Sequence, residues 1–287
     1  MVGDLHCHTR LSDSSMGIDD LVLLAQKRGI DTIAIVDRDC QAGTVRGKII
    51  GERKGITVIP GVELSAYDSK RKAYAELICY MADSPDRLEG LCHRNVAARK
   101  RASQMMTLKV ARKYPISPEL VTKCATGSTA VFEQHIMHAL AECGLTDKIF
   151  GDLYNELFSP DSEENVIVTA NYPEPLEILE AIHEAGGIAV LSHPGSRGSF
   201  ELLEELIPHG LDGVEVWHPD NTEQQQKQLL EIAKKHGLLC TGGTEFKGLY
   251  SKYPLSIGEV VTPEANIKAL LSYKSKKKKK KTEKSSD

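Results

Sequence analysis

Short β-branched runs alternate with amphipathic helical stretches at both ends of this chain, and that rhythm leaves few folds open to it. Near the N-terminus, Thr32-Ile33-Ala34-Ile35-Val36 and Thr57-Val58-Ile59-Pro60 read as buried strands. Ile18, Leu21, Val22 and Ala25 repeat at i, i+3, i+4 and i+7, which predicts a helix over 18–27 before the second strand. The rhythm returns from Leu176. A helix to Ala185 is stopped by Gly186-Gly187, and strand Ile188–Leu191 follows. Then come helix Phe200–Ile207, strand Gly213–Val216, helix Thr222–His236, strand Leu238–Thr241 and helix Glu264–Tyr273. Such alternation means parallel βαβ units, closed as a doubly wound sheet or a barrel.

Residues 84–172 break the pattern. Leu91–Lys113, Pro118–Cys124 and Val131–Cys143 read as helices, and Asn165–Val168 is the one strand-like run. The expected organisation is an α/β domain formed by 1–83 and 173–273, with 84–172 as a helical insertion or cap. No internal repeat is evident.

Composition narrows the class. With 41% hydrophobic and 26% charged residues, the 287-residue chain is globular and long enough to bury a sizeable core. No run approaches the ~20 apolar residues of a membrane span, and Met-Val-Gly-Asp-Leu-His resembles no leader, so a cytoplasmic protein is expected. Seven scattered cysteines without a C-x-x-C pair point to reduced thiols. The net charge of −4 hides a tail, 274–287, of net +6 on a body of −10. That tail is expected to be a disordered, solvated extension. An acidic body is a poor nucleic-acid clamp, leaving at most a weak contact through the tail.

The chemistry gathers at strand ends. His6 and His8, two residues apart on the first strand, point the same way and can converge on one cation. Alone, this pair would be weak evidence, since two histidines ending a strand can be a solvated edge. However, Asp37 and Asp39, Glu63, His193 and Glu245 follow the other strands. Metal-ligating side chains at the C-terminal ends of several parallel strands mark an active site.

Asp4-Leu5-His6-Cys7-His8-Thr9 with Ser12-Asp13 resembles the opening signature of the polymerase-and-histidinol-phosphatase (PHP) family of metal-dependent phosphoesterases. Pro60-Gly61-Val62-Glu63 is similar to its second motif, Ser192-His193-Pro194-Gly195 to its third, and Thr241 to Gly248 to its last. The resemblance runs in order along nearly the whole chain. It implies a distorted seven-strand β/α barrel with a helical insertion, holding up to three divalent ions and hydrolysing phosphate esters. The metal positions it implies are His6, His8, Asp13, Glu63, Glu76, His193 and Glu245.

Four positions depart from the family pattern. An Asp-His pair is Asp37-Arg38 here, a histidine is Glu76, and a closing Asp-x-His is Glu245-Phe246-Lys247. Glu76 and Glu245 remain oxygen ligands for Mn²⁺, Mg²⁺ or Zn²⁺. Arg38 has no free lone pair, and Lys247 could ligate only by losing its proton. The resemblance therefore implies that Arg38 and Lys247, paired with Asp13, supply the charge of an absent third ion. Two ions would remain, held by His6, His8, Glu63, Glu76, His193 and Glu245. The rival reading is a degenerate site that binds a phosphorylated ligand or a protein partner without turnover.

If the site is active, a metal-activated hydroxide attacks phosphorus in line, with Arg38 and Lys247 neutralising charge on the transferring group. His218, in Trp217-His218-Pro219, could protonate the leaving oxygen. His135 lies in a segment similar to one whose histidine faces the substrate phosphate in the family. Arg101 and Arg197 lie near positions where related enzymes carry arginine. A small phosphorylated metabolite, nucleotide or sugar phosphate in type, is the expected substrate. Nuclease action is disfavoured by the acidic body. Oligomeric state is not legible.

Overall fold

The computed structural model describes residues 2–195 and 199–284, with side chains to Lys274. Seven strands form one sheet in sequence order: β1 (Gly3–Cys7), β2 (Thr32–Ile35), β3 (Thr57–Asp68), β4 (Ala73–Tyr80), β5 (Ile188–Leu191), β6 (Gly213–Trp217) and β7 (Leu239–Gly242). β1 to β3 and β5 to β7 pair in parallel, while β4 is antiparallel to both β3 and β5. The sheet curls until β7 meets β1. Past the end of β7, Phe246 N donates to His6 O (3.2 Å) and Phe246 O accepts from His8 N (3.0 Å). The result is a nearly closed, distorted α/β barrel, as expected.

One hydrophobic cluster joins Leu5, Val36, Ile59, Ile78, Val190 and Leu239, which come from six strands or their ends. Side chains from so many strands meet only inside the barrel. Tyr80 crosses this interior and donates from its hydroxyl to Leu5 O at 2.8 Å.

Helices α1 (Ile18–Lys27) and α2 (Thr44–Lys54) flank the first strands. The apolar stripe of α1 (Leu21, Val22, Ala25) packs on Ile33, Ile35 and Val58. On the far side, α7 (Pro175–Glu184), α8 (Phe200–Leu206) and α9 (Glu223–His236) bury Ile178, Leu179, Ile182, Leu203 and Leu229 against β3 to β7. Thr222 caps α9 by accepting from Gln225 N while the Gln225 side chain returns to Thr222 N, a reciprocal capping box.

Between β4 and α7 run α3 (Glu89–Lys113), α4 (Pro118–Cys124), α5 (Glu133–Glu142) and α6 (Asp152–Phe158). They share their own cluster of Met106, Val110, Val121, Ile136, Leu140 and Leu157. The strand-like run 165–168 is irregular: Val166 N donates to Leu157 O, and Val166 packs into that cluster instead of joining a sheet.

The last helix, α10 (Glu264–Lys284), closes the barrel floor with Ile267 and Leu270. The sequence predicts a helix that stops at Tyr273 and gives way to an extended tail, but the backbone stays helical to Lys284. Lysine is a good helix former, and extending an established helix needs no new nucleus. No helix among the described residues is long and apolar enough to cross a membrane.

Candidate active site

The strand order sets a ring of polar side chains around one barrel mouth. His6 and His8 end β1, Arg38 follows β2, and Glu63 and Glu76 face inward from β3 and β4. His193, His218 and Glu245 follow β5, β6 and β7, and Lys247 and Asp13 complete the ring from loops. All are buried except Glu245, which is partly exposed.

Three buried aspartates shape the loops. Asp4 accepts from Thr244 N (3.0 Å) and from Gly258 N (3.0 Å), as well as from the Thr244 hydroxyl, fixing the turn before Glu245. Gly243 is required there, because a Cβ would lie 2.4 Å from His6 N. Asp37 accepts from Thr9 N (2.7 Å), the Thr9 hydroxyl (2.6 Å) and the Ser12 hydroxyl (2.6 Å), holding the loop that presents Asp13. Burial pushes Asp37 up to about 6 despite these donors. Asp39 accepts from Ser65 N and from Asn95 Nδ2, joining the barrel to α3. Asp39 (φ 51°) and Glu245 (φ 50°) both adopt the left-handed backbone region, a strain that the surrounding bonds hold in place.

The ring divides into a cationic half and an imidazole half. Arg38 Nε lies 3.1 Å from Asp13 Oδ2, Nη1 2.8 Å from Glu63 Oε2 and 3.4 Å from Glu76 Oε1, and Nη2 2.6 Å from Glu245 Oε1. Lys247 Nζ lies 3.2 Å from Asp13 Oδ2 and 2.6 Å from Glu245 Oε1. Burial works against the charge of both cations, yet Glu63 and Asp13 hold the Arg38 guanidinium protonated, and Asp13 and Glu245 hold the Lys247 ammonium protonated. Neither can therefore act as a ligand.

The other carboxylate oxygens turn to the histidines. Glu63 Oε1 lies 3.4 Å from His6 Nε2 and 3.9 Å from His193 Nε2, and Glu245 Oε2 lies 3.3 Å from His218 Nε2. Glu245 thus bridges fixed cations on one oxygen and an imidazole on the other, while Glu63 Oε2 lies between Arg38 and His8 Nε2, 3.6 Å away.

The tautomers follow from the partners. His6 Nδ1 lies 2.9 Å from Glu215 Oε1, so it carries a proton, and Nε2 faces His8 Nε2 at 3.1 Å. His8 Nδ1 faces Asp13 Oδ1 at 3.4 Å, and burial pushes the ring down to about 3, so it is neutral with its Nε2 lone pair directed at His6. Two imidazole lone pairs converging beside a carboxylate need a cation between them. Without a metal a proton must serve. Burial opposes charge on His6, but the Glu215 and Glu63 carboxylates outweigh it and raise its pKa well above the usual value.

Among the described residues, three groups of side chains bring ligand atoms within 4.8 Å of one another: His6, His8, Glu63 and Glu245; His193, His218 and Glu245; and His6, Glu215 and His218. A mixed imidazole and carboxylate set of this kind suits a divalent transition ion. His218 fits a ligand role poorly, because its Nδ1 accepts from Asp220 N at 3.1 Å and this leaves the proton on Nε2. Glu76, expected among the ligands, enters none of these groups and faces Arg38. Asp13, also expected there, is the counter-ion of two cations.

The substrate-side expectations fare differently. Arg101 is exposed on α3. The arginine that faces inward is Arg99, one helical turn after Asn95. It donates to Ser65 Oγ at 2.8 Å, and its guanidinium stacks 4.5 Å from the centre of the Phe132 ring and 5.3 Å from that of Tyr172. His135 is buried, accepts from Phe132 N on Nδ1 at 3.0 Å, and is pushed by burial down to about 4. Arg197 lies outside the described residues. Glu215, which sequence reasoning missed, accepts from His193 N (3.0 Å) and Ser192 Oγ (3.2 Å) as well as from His6. A carboxylate inside the apolar run Gly213-Val214-Glu215-Val216 was its signal.

The PHP domain family model matches residues 4–136. A phosphoribosyl 1,2-cyclic phosphate 1,2-diphosphodiesterase of Eggerthella lenta is 30% identical over 88% of this chain and 97% of its own length. The chain belongs to the PHP family. A crystal structure from Bifidobacterium adolescentis, assigned as a metal-dependent phosphoesterase, superposes with a TM-score of 0.84 at 29% identity, covering 94% of this chain and 95% of that one. A 5'-3' exoribonuclease of Escherichia coli is 26% identical over 86% of this chain and 85% of its own length. This PHP protein is accordingly a metal-dependent phosphoesterase, a phosphoric ester hydrolase.

Proposed function

We propose that this PHP protein hydrolyses the phosphate ester of a small phosphorylated metabolite, of nucleotide or sugar-phosphate type, with two divalent ions and two built-in cations. Mn²⁺, Zn²⁺ and Mg²⁺ are the candidate ions. The observation that carries the reading is that Glu63 and Glu245 each join Arg38 to the imidazoles of the ring, Glu63 through both oxygens and Glu245 with one oxygen on Arg38 and the other on His218. His6, His8, Glu63 and Glu245 would hold one ion, and His193 with Glu245 would contribute to the second. When bound, such ions acidify water and draw charge from phosphoryl oxygens.

The chain's own groups do the rest. Arg38 and Lys247 set a fixed positive potential beside the place where phosphoryl charge builds, in a site shielded from water. Their pairing with Asp13 keeps them in position without an ion. Glu215 holds the His6 ring so that Nε2 is presented to the site. His218 keeps its proton on Nε2 and can donate it as a hydrogen bond to the departing oxygen, stabilising the charge that builds there. Arg99 and His135 line the side facing α3 and α5 and would receive the remaining anionic groups of the substrate.

Phosphate release from a panel of sugar phosphates, nucleoside mono- and bisphosphates and cyclic phosphates, with each metal in turn, tests the reading. Turnover of one small ester supports it, and no release from any, under all three metals, contradicts it. Relatives named as exoribonucleases favour a second reading, removal of nucleotides from RNA. A 5'-phosphorylated oligoribonucleotide in the same panel distinguishes the two.

A further inference from the structure

Two loops of the barrel mouth meet beside His218 and carry a tyrosine for which the catalytic ring has no use. Lys247 N donates to Ser251 Oγ at 2.9 Å, which ties the loop after β7 to the catalytic ring. Two residues on, Tyr253 donates from its hydroxyl to Asp220 Oδ1 on the loop after β6. Asp220 N donates in turn to His218 Nδ1 at 3.1 Å. Tyr253 is therefore fastened to the site through Lys247 on one side and His218 on the other.

Its setting is unlike that of the other aromatic residues. Tyr253 is 36% exposed, whereas every other Phe, Trp and Tyr among the described residues is buried or partly buried. An exposed side chain on a loop ordinarily keeps its rotamer freedom, which a ligand must then pay to remove. Here the side chain is held before any ligand arrives. The Asp220 bond fixes its far end, and Pro254 restricts the backbone of the residue before it. Lys252 Nζ lies 4.9 Å from the centre of the aromatic ring and 2.9 Å from Asp220 Oδ1. A cation thus occupies one face and neutralises the carboxylate, leaving the opposite face for contact.

The chemistry that fits such a surface is a flat ring system. An aromatic platform takes any nucleobase by its π-face, and a sugar or polyol phosphate offers no such face. In the proposed mechanism His218 faces the departing oxygen, so the group attached to that oxygen extends toward the loops that hold His218. We propose that Tyr253 is a specificity-determining residue, the platform on which the base of a departing nucleoside stacks. The inference rests on that reading of the catalytic ring and narrows its substrates to nucleotides. Asp220 is then a positioning residue, acting through the tyrosine hydroxyl.

Binding tests the assignment apart from turnover. Two non-hydrolysable probes are titrated calorimetrically into the full-length, metal-loaded protein. One is the 5'-methylenephosphonate of 2-aminopurine riboside, and the other is the same phosphonate of ribose, which lacks the base. The base-bearing probe should bind more tightly, and its fluorescence should be quenched on binding, as stacking of 2-aminopurine produces. Tyr253→Ala should shrink that preference about 5- to 150-fold, the worth of one stacked base, and relieve the quenching. Tyr253→Phe and Tyr253→Trp should keep both. Equal affinity of the parent for the two probes, or a preference unchanged in Tyr253→Ala, would overturn the proposal. Phosphate release is read separately. A preference that depends on Tyr253 without turnover of any ester would support the platform and contradict the hydrolase reading alone. Turnover without that preference would do the reverse.

Discussion

Arg38 Nε lies 3.1 Å from Asp13 Oδ2, and this contact anchors a cation where the family pattern carries an imidazole. Lys247 reaches the same oxygen at 3.2 Å. Burial would raise the Asp13 pKa, but Lys247, His8 and Arg38 together hold it well below the usual carboxylate range. The aspartate is thus ionised and saturated by protein cations. In the proposed site, covalently attached charge that cannot be chelated away fills the place of a third ion.

Removing the guanidinium should expose what it compensates. Arg38→Met would leave Asp13, Glu63, Glu76 and Glu245 facing one another with Lys247 alone. A loss of about 3–5 kcal/mol is expected from breaking a buried ion pair on one side. Denaturant unfolding of the chelated variant measures it. Added Mn²⁺ should recover part of the loss, because a ligand that binds only the folded state stabilises it.

Much of this is legible in the sequence, for identifiable reasons. The stripe of α1 marks its limits, Ile18–Lys27, directly. The strand-end positions of His6, His193 and Glu245 show because parallel strands leave their C-terminal ends at one mouth. The reversal of β4 does not show, since Ser69 to Lys72 contains no glycine or asparagine to announce a hairpin. Helix α2 escapes sequence reading because Gly47 and Gly51 pack against Ile35 and Val58 in place of an apolar stripe. Arg101 stands in for Arg99 in the sequence reading because position alone does not give helix phase. Two residues turn about 200° around a helix and reverse which arginine faces inward. Family position puts Glu76 and Asp13 among the ligands, and only side-chain geometry shows them turned to Arg38.

The arginine assignment has a direct consequence. Arg99→Met should raise KM about tenfold or more, the worth of a charge-assisted hydrogen bond to an anion, with a smaller effect on kcat. Arg101→Met should stay within about twofold of the parent, as expected for an exposed surface substitution. Steady-state kinetics on the same ester compare the two.

Glu215 acts through His6. Glu215→Gln keeps the shape but removes the charge that fixes the His6 proton on Nδ1. Metal affinity should fall about 10–100-fold, as for other partners of metal-ligating histidines. Competition against a fluorescent chelator reads this out, and circular dichroism checks that the fold persists.

His218 as a hydrogen-bond donor to the departing oxygen predicts a dependence on the leaving group. His218→Ala should slow an alkyl phosphate about 10²–10³-fold, as for loss of one donor to developing charge, and p-nitrophenyl phosphate far less, because nitrophenolate spreads its own charge. Equal losses on both esters would instead assign His218 to metal binding or structure.

If Arg38 and Lys247 stand in for an ion, counting ions tests that substitution most directly. Elemental analysis of the protein, saturated with Mn²⁺ and freed of excess, should give two ions per chain, and the double variant Arg38→His, Lys247→His should give three. Three ions in the unaltered protein would contradict the proposed exchange of a metal for two side-chain cations.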